Sequence, residues 1–469
     1  MIILAYLIGL SCPGLVGYLL LLNLERGRQV LRKPERAVIG CLIGLTLSML
    51  MTFCAHVGAG APLNLWTFLS VQAAAAAILG ILLYALPPRA LPPHPLALSG
   101  PSKQWMTWAA WGLGIWTLAK ILLAAVTFLL LTPTYLDDTI DNWNLRGKVF
   151  FVDQALTLAM PGEDPMTSPL GVSSYPPTVP LAKVWMAHLG GGWSDPVVNL
   201  IHVVWYLLAI ALVFIVLRRT VSLWWSLIGA YLLTSLPLYL MHGTNTYGDI
   251  FLSAHVFLAV GMAYLGVTTD DAQTRASYLR IGGVAAGLLA FTKNEGLLIF
   301  LPPLLLVVGI CLLLRYRRRE ITGRELLTPL LWYGGAILLI GLPWLAFKWA
   351  NGLTFGNAKP FTSLGIKWQE NVLLSVSVNT FLEGNWLLLF PALFILIPLQ
   401  KKESFGHALP LTLFFLIVYL GQMALYLFTG LSTEALRQTG YARGLVHLAP
   451  IAVTLTTLLL QRMFGRVSP

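Results

Sequence analysis

The sequence predicts an all-α polytopic membrane protein of about thirteen transmembrane helices. Three observations carry this. Of 469 residues, 57% are hydrophobic and only 10% are charged. The apolar residues also gather into runs of about twenty, the length that crosses a hydrocarbon core of about 30 Å. A soluble domain carries about 25% charged residues to clothe its surface, whereas this chain must use lipid for that purpose. The candidate spans are 1–22, 37–57, 65–86, 106–132, 195–217, 221–240, 247–267, 280–296, 297–314, 326–349, 386–400, 408–429 and 445–462.

The first run reads as a retained span, not a cleaved leader. Its basic residues follow it, and no small-residue cleavage site ends it. Charge placed after the helix predicts an outside N-terminus. The net charge of +11 is spread over short clusters between the runs: Arg26, Arg28, Arg32, Lys33 and Arg36; Arg218 and Arg219; Arg315, Arg317, Arg318 and Arg319; Lys401 and Lys402; Arg462 and Arg466. That is the pattern of cytoplasmic loops. It excludes nucleic acid as a partner, because no basic face lies outside these loops.

With the N-terminus outside, every cluster falls on the cytoplasmic side, the C-terminal tail included, provided that 175–191 stops short of crossing. Pro176, Pro177 and Pro180 remove helix donors at its start and Lys183 follows, so this segment reads as an interfacial or re-entrant helix. Cys12, Cys41, Cys54 and Cys311 lie in apolar runs without CxxC or Cys/His spacing, and read as small apolar residues, not as disulfide or zinc ligands.

Two regions follow. Residues 1–104 hold three transmembrane helices with few polar side chains and a Pro-rich cytoplasmic linker over 87–104. Residues 105–469 hold the functional inventory, with outer loops at 133–194, 350–385 and 430–444. The turn 241–249 lies on the same face.

With only 19 acidic residues in the chain, their placement is informative. Asp137 and Asp138 open the first outer loop. Paired carboxylates at a membrane surface suit a general base or a metal ligand, and equally an N-cap for the helix that begins near Thr139. The segment 139–158 is amphipathic and reads as a juxtamembrane helix lying in the interface. Its Arg146 and Lys148 are placed either to hold phosphates or to snorkel.

Asp249 sits at the outer mouth of the 247–267 run, where a helix cap is the alternative. Lys293 and Glu295 lie between two apolar runs; an uncompensated charge there costs a few kcal/mol, so both must face protein or a cavity, a structural ion pair being the plainer reading. Arg443 and His447 stand at i and i+4 entering the last span, so both point to one face. An arginine at a helix mouth with a histidine one turn deeper suits a phosphate or pyrophosphate, or an interfacial anchor.

In this order and on one face, these pieces resemble the GT-C superfamily of membrane glycosyltransferases, such as protein O-mannosyltransferases, aminoarabinose transferases and oligosaccharyltransferases. The matching pieces are Asp137-Asp138, the helix around Trp143–Phe151, Ser174-Tyr175-Pro176-Pro177, Thr246-Tyr247-Gly248-Asp249 and Thr292–Gly296, within 105–462. The resemblance implies a GT-C-like fold and an inverting transfer from a polyprenyl-phosphate-linked sugar to an acceptor hydroxyl at the outer face of a cytoplasmic (inner) membrane.

It further implies Asp137 or Asp138 as general base and Asp249 as a second acid that positions the acceptor or binds a metal. Lys293 and Arg443 would neutralise the departing phosphate, with Glu295, His447, Tyr175, Arg146 and Lys148 completing the substrate site. Metal dependence stays open; Asp138 and Asp249 are the ligands a Mg or Mn ion would use. The partners are the lipid-linked donor, the bilayer and an acceptor glycan, lipid or protein that the sequence does not identify. The sequence departs from larger family members in having no big C-terminal soluble domain, which points to a small or lipid-linked acceptor. The competing readings are a lipid or sugar transporter or flippase, whose charges belong near the midplane, and a non-catalytic assembly subunit.

Overall fold

A computed structural model describes residues 2–87, 104–355 and 365–464. Among them the regular structure is helical; one isolated bridge joins Ile366 and Thr429. Among the described residues, ten helices are long and apolar enough to cross a membrane. They are α1 (Ile2–Leu24), α2 (Lys33–Ala59), α3 (Leu65–Ala85), α4 (Gln104–Leu131), α7 (Asp195–Leu217), α10 (Asp249–Thr268), α12 (Gly296–Arg317), α13 (Gly323–Ala350), α16 (Leu409–Phe428) and α18 (Gly440–Phe464). Between them lie the shorter α5 (Asn144–Asp153), α6 (Thr178–Leu189), α8 (Leu223–Ser235), α9 (Pro237–Gly243), α11 (Ala272–Leu289), α14 (Val372–Phe381), α15 (Leu389–Leu399) and α17 (Ser432–Leu436). The linker expected over 87–104 lies almost wholly outside the described residues, as do Arg466 and the middle of the 350–385 loop.

Three of the thirteen expected spans come out differently. The 221–240 run is broken at Pro237, whose ring and missing N–H end α8; α9 leaves at 78°, so the count reaches eleven only if this bent pair is one span. The 280–296 run is the second half of α11, which starts at Ala272, carries Arg275 and Arg280, and ends at Leu289. The 386–400 run yields only the 11 residues of α15, about 17 Å of helix. The segment expected to stop short of crossing does so: α6 has 12 residues, about 18 Å.

Capping chemistry sets several ends. Glu35 Oε2 accepts from Arg32 N at 2.7 Å at the start of α2, and Gly60 (φ 67°) ends it. Asn64 caps α3 through Thr67 N, Asp271 caps α11 through Thr274 N, and Thr322 with Glu325 forms a capping box on α13. α1 and α2 cross at backbone contact. A Cβ on Gly17 would lie 1.9 Å from the Gly40 carbonyl oxygen, and one on Gly44 would lie 1.9 Å from that of Pro13, the small-residue crossing of membrane helices.

α10 is the axis of the molecule. Its whole apolar window is buried, as a helix hydrophobic on all sides should be, and α7, α11 and α18 enclose it. The N-terminal helices pack onto the same body: Tyr6 Oη donates to Val197 O, Trp185 Nε1 to Gly9 O, and Thr46 Oγ1 lies 2.8 Å from His255 Nε2.

The two ends of the bundle differ in chemistry. At one end the basic clusters meet their counter-charges: Arg36 with Glu25, Arg219 with Glu35, Arg275 with Glu325, Arg315 with Asp270 and Arg462 with Glu403. The mouth of α10 lies at the other end.

Candidate active site

Asp249 opens α10 and is 1% exposed. Its carboxylate does not cap the helix. Oδ1 accepts from Lys293 Nζ at 2.9 Å and lies 3.2 Å from His447 Nε2. Oδ2 accepts from Arg443 Nε at 3.1 Å and has His242 Nδ1 at 3.2 Å. A carboxylate this deeply buried is held charged only by such partners.

Local sequence explains how each partner arrives. Lys293 lies in the tight turn between α11 and α12, where Thr292 Oγ1 donates to Leu289 O. A Cβ at Gly296 would come within 2.5 Å of that same carbonyl oxygen, so the turn closes only over glycine. Arg443 and His447, one turn apart on α18, reach the same acid, as their i, i+4 spacing requires.

Asp138 joins the cluster from the loop that follows α4. Arg443 Nη2 donates to its Oδ2 at 2.5 Å, so one guanidinium spans Asp138 and Asp249. Neither acid of the pair caps the following helix with its side chain: Asp137 is exposed, and its Oδ1 accepts the backbone N–H of Asp138 at 2.7 Å. The loop is fastened to the mouth of α10 by the paired hydroxyls of Thr139 and Thr246 and by Trp143, which lies against Gly248. The expected helix over 139–158 is a π-helical turn, Thr139–Trp143, running into α5 and ending at Asp153.

Tyr175 and Glu295 line the next layer. Tyr175 Oη donates to Glu295 Oε1 at 3.2 Å, Lys293 Nζ stands 3.6 Å from that oxygen, and the ammonium lies 5.5 Å from the Tyr175 ring centre. Burial, with the Glu295 charge beside it, holds the Tyr175 phenol well above its usual range. The ion pair expected between Lys293 and Glu295 is therefore present, but Lys293 is closer to Asp249.

Two expected substrate residues lie elsewhere. Arg146 does not face the interface: it is 1% exposed and donates Nη2 to Tyr175 O at 3.1 Å, under the loop. Burial lowers its guanidinium to about 9. The small Gly147 and the packing of Phe150 draw this face of α5 inward. Lys148 is exposed and has no hydrogen bond or ion pair among the described residues.

The site also holds residues the sequence reading did not select. His242 stacks on Tyr247 at 4.6 Å, and the Arg443 guanidinium lies 4.9 Å from the Tyr247 ring centre. Glu434, between α16 and α18, lies against the start of α18, where a Cβ at Gly440 would fall 1.9 Å from its Oε2. Burial raises the Glu434 carboxyl; Arg443 opposes this, and Glu295 and Asp138 add to it. A polar turn seven residues before Asp249 and an acid shortly before Arg437 and Arg443 were the available signals.

Asp138 and Asp249 do not fit a divalent cation held between them. The Arg443 guanidinium already bridges the pair, and Lys293 takes the second oxygen of Asp249. Among the described residues, no group of three or more His, Cys, Asp or Glu side chains is arranged to hold a metal.

No family model matches the chain, and no curated protein matches it. Solved structures do. The structure of ArnT from Cupriavidus metallidurans bound to undecaprenyl phosphate superposes with a TM-score of 0.54 at 15% identity, covering 76% of this chain and 61% of that one. The apo state of the same protein gives 0.51 at 17% identity, with 76% and 62% covered. This chain thus spans about three fifths of the length of ArnT and shares its fold.

Proposed function

We propose that this protein is a membrane glycosyltransferase that moves a sugar from a polyprenyl-phosphate-linked donor to an acceptor hydroxyl at the non-cytoplasmic face. The observation that carries the reading is the convergence of Asp138, Asp249, Lys293 and Arg443, from four separate stretches of chain, at the end of the bundle opposite the basic loops. Support comes from the fold, shared with a protein crystallised with undecaprenyl phosphate. Charges gathered at one end suit chemistry on a lipid-anchored group. A transporter would place them near the midplane.

In this reading Asp138 is the general base. Its side chain is 32% exposed where that of Asp249 is 1% exposed, so Asp138 is the acid an acceptor reaches. The acceptor oxygen attacks the anomeric carbon from one side as its proton passes to Asp138. The bond from that carbon to the lipid phosphate breaks on the other side, and the electron pair leaves on the phosphate oxygen. Inversion follows from the in-line geometry. Arg443 and Lys293 stabilise the charge that develops on the leaving group. A phosphate that draws Arg443 away from Asp138 also frees that carboxylate to take the proton. Asp249 holds both cations in place.

The test is turnover of a panel of polyprenyl-phosphate sugars by purified, folded protein. Release of polyprenyl phosphate with formation of a glycosylated acceptor is the expected outcome. No turnover of any donor by a chain that remains folded overturns the reading.

A further inference from the structure

Behind Tyr175 lies a second polar layer whose charges are not balanced. Arg146 is 1% exposed and Lys348, near the end of α13, is 2% exposed. Both hold the same strand of loop: Arg146 Nη2 donates to Tyr175 O at 3.1 Å, and Lys348 Nζ to Ser174 O at 2.6 Å and Thr354 O at 2.7 Å. The two cations are close enough to repel one another, and among the described residues no carboxylate offsets either.

Asn294 Oδ1 lies 3.4 Å from Lys348 Nζ, which aims its amide at the same place. The atoms left over are donors. Arg146 Nε and Nη1 and Asn294 Nδ2 are buried and have no hydrogen-bond partner among the described residues. A buried guanidinium nitrogen without an acceptor carries its full desolvation penalty, so this layer is built for something that brings oxygen and negative charge.

We propose that Arg146, Lys348 and Asn294 form an anion subsite for a phosphate-class group, separate from the Asp249 centre. Charge selects the class. Two cations match the −1.5 to −2 of a phosphate monoester, whereas one carboxylate would leave a buried positive charge. The contrast with the Asp249 centre is direct, since Lys293 and Arg443 already have carboxylates there. Gly171, at φ +94°, folds the loop that covers the subsite onto Arg146, and Thr354 N and Oγ1 face the Met166 sulfur at 3.5 and 3.8 Å. Because Lys348 itself ties residues 174 and 354 together, an arriving anion competes for the ammonium that keeps the cover closed. The subsite does not depend on the transferase reading, because its test measures binding and not transfer.

The test uses the full chain in detergent, with inorganic phosphate in one arm and polyprenyl phosphate in the other, read by ligand-dependent thermal shift and by equilibrium binding. Stabilisation by both identifies a general phosphate site, by the lipid alone a headgroup site, and by phosphate alone a free-anion site. In each case Lys348→Gln weakens binding at least tenfold, while Lys33→Gln, at the opposite end of the bundle, changes nothing.

Asn294→Asp is the second variant and serves if Lys348→Gln does not fold. It supplies the missing charge from within, so it raises the melting temperature of the ligand-free protein and abolishes binding. Two results overturn the proposal. One is no binding of either probe by folded wild-type chain. The other is inorganic phosphate binding that survives both substitutions or, where only the lipid binds, lipid binding that does so; either would place the anion at the Asp249 centre.

Discussion

Arg443 donates Nη2 to Asp138, a carboxylate 305 residues earlier in the chain, at 2.5 Å. Its Nε holds Asp249 at the same time, so the loop after α4, the central helix α10 and α18 share one guanidinium. Groups coupled through a shared partner are not additive. Arg443→Gln and Asp138→Asn should each lower transfer by about a hundredfold or more. The double variant should fall well short of the product of the two losses, with a coupling of about 0.5–3 kcal/mol in a double-mutant cycle. Strict additivity would mean that the contact plays no part in the reaction.

The two neighbouring acids should separate sharply. Asp138 points at Arg443, whereas Asp137 is exposed and holds the backbone N–H of its neighbour. Loss of a general base costs about 10²–10⁴ in rate, so Asp138→Asn should lose that much in kcat while donor binding changes little. Asp137→Asn disturbs one loop hydrogen bond and should stay within about tenfold of wild type. The reverse order of effects would transfer the role of base to Asp137.

What the sequence disclosed and what it hid divide along physical lines. Spans of high hydropathy were legible because burial in lipid demands about twenty apolar residues, and sparse charges made Asp138, Asp249, Lys293 and Arg443 conspicuous. The i, i+4 spacing correctly placed Arg443 and His447 on one face. Hidden were features set by tertiary packing. A 78° bend at Pro237 and the early start of α11 at Ala272 change the span count without changing composition. Arg146 reads as an interfacial arginine from its amphipathic context, and only the closing of the 171–175 loop shows it buried. His242, seven residues before Asp249, and Glu434, nine before Arg443, join the site through turns whose shape their residue types only weakly announce.

Stability should depend on pH through Lys183. This lysine, on the non-spanning α6, is fully buried and donates to the Asn144 and Asn199 amide oxygens. Burial lowers it from 10.5 to about 7, while Asp195 pulls the other way. Between those two values the unfolded chain binds the proton and the folded chain does not, so stability rises with pH across the window. Melting temperature in detergent should therefore climb from pH 7 towards pH 10, and the Lys183 contribution should be absent below 7. Lys183→Met should flatten the climb; an unchanged slope would assign it to other groups.

The crossing of α1 and α2 makes the most demanding packing prediction, because backbone meets backbone. At Gly44 a Cβ would fall 1.9 Å from the Pro13 carbonyl oxygen and 2.8 Å from Gly17 N. No rotamer relieves a clash with main chain, so the helices must separate. Overpacking of this kind costs about 1–3 kcal/mol or more. Gly44→Ala should lower the melting temperature clearly, and a second alanine at Gly17 should add little, since the crossing has already opened. Gly58, on the same helix, has nothing within 4 Å of its Cβ position. Gly58→Ala should leave stability unchanged or raise it slightly, through the better helix propensity of alanine. Equal melting temperatures for the Gly44 and Gly58 variants would mean that α1 and α2 do not cross at these glycines. Because α6 is anchored to Gly9 on α1 through Trp185, the Gly44 variant should also loosen the loop that carries Tyr175, measurable as faster proteolysis between 154 and 177.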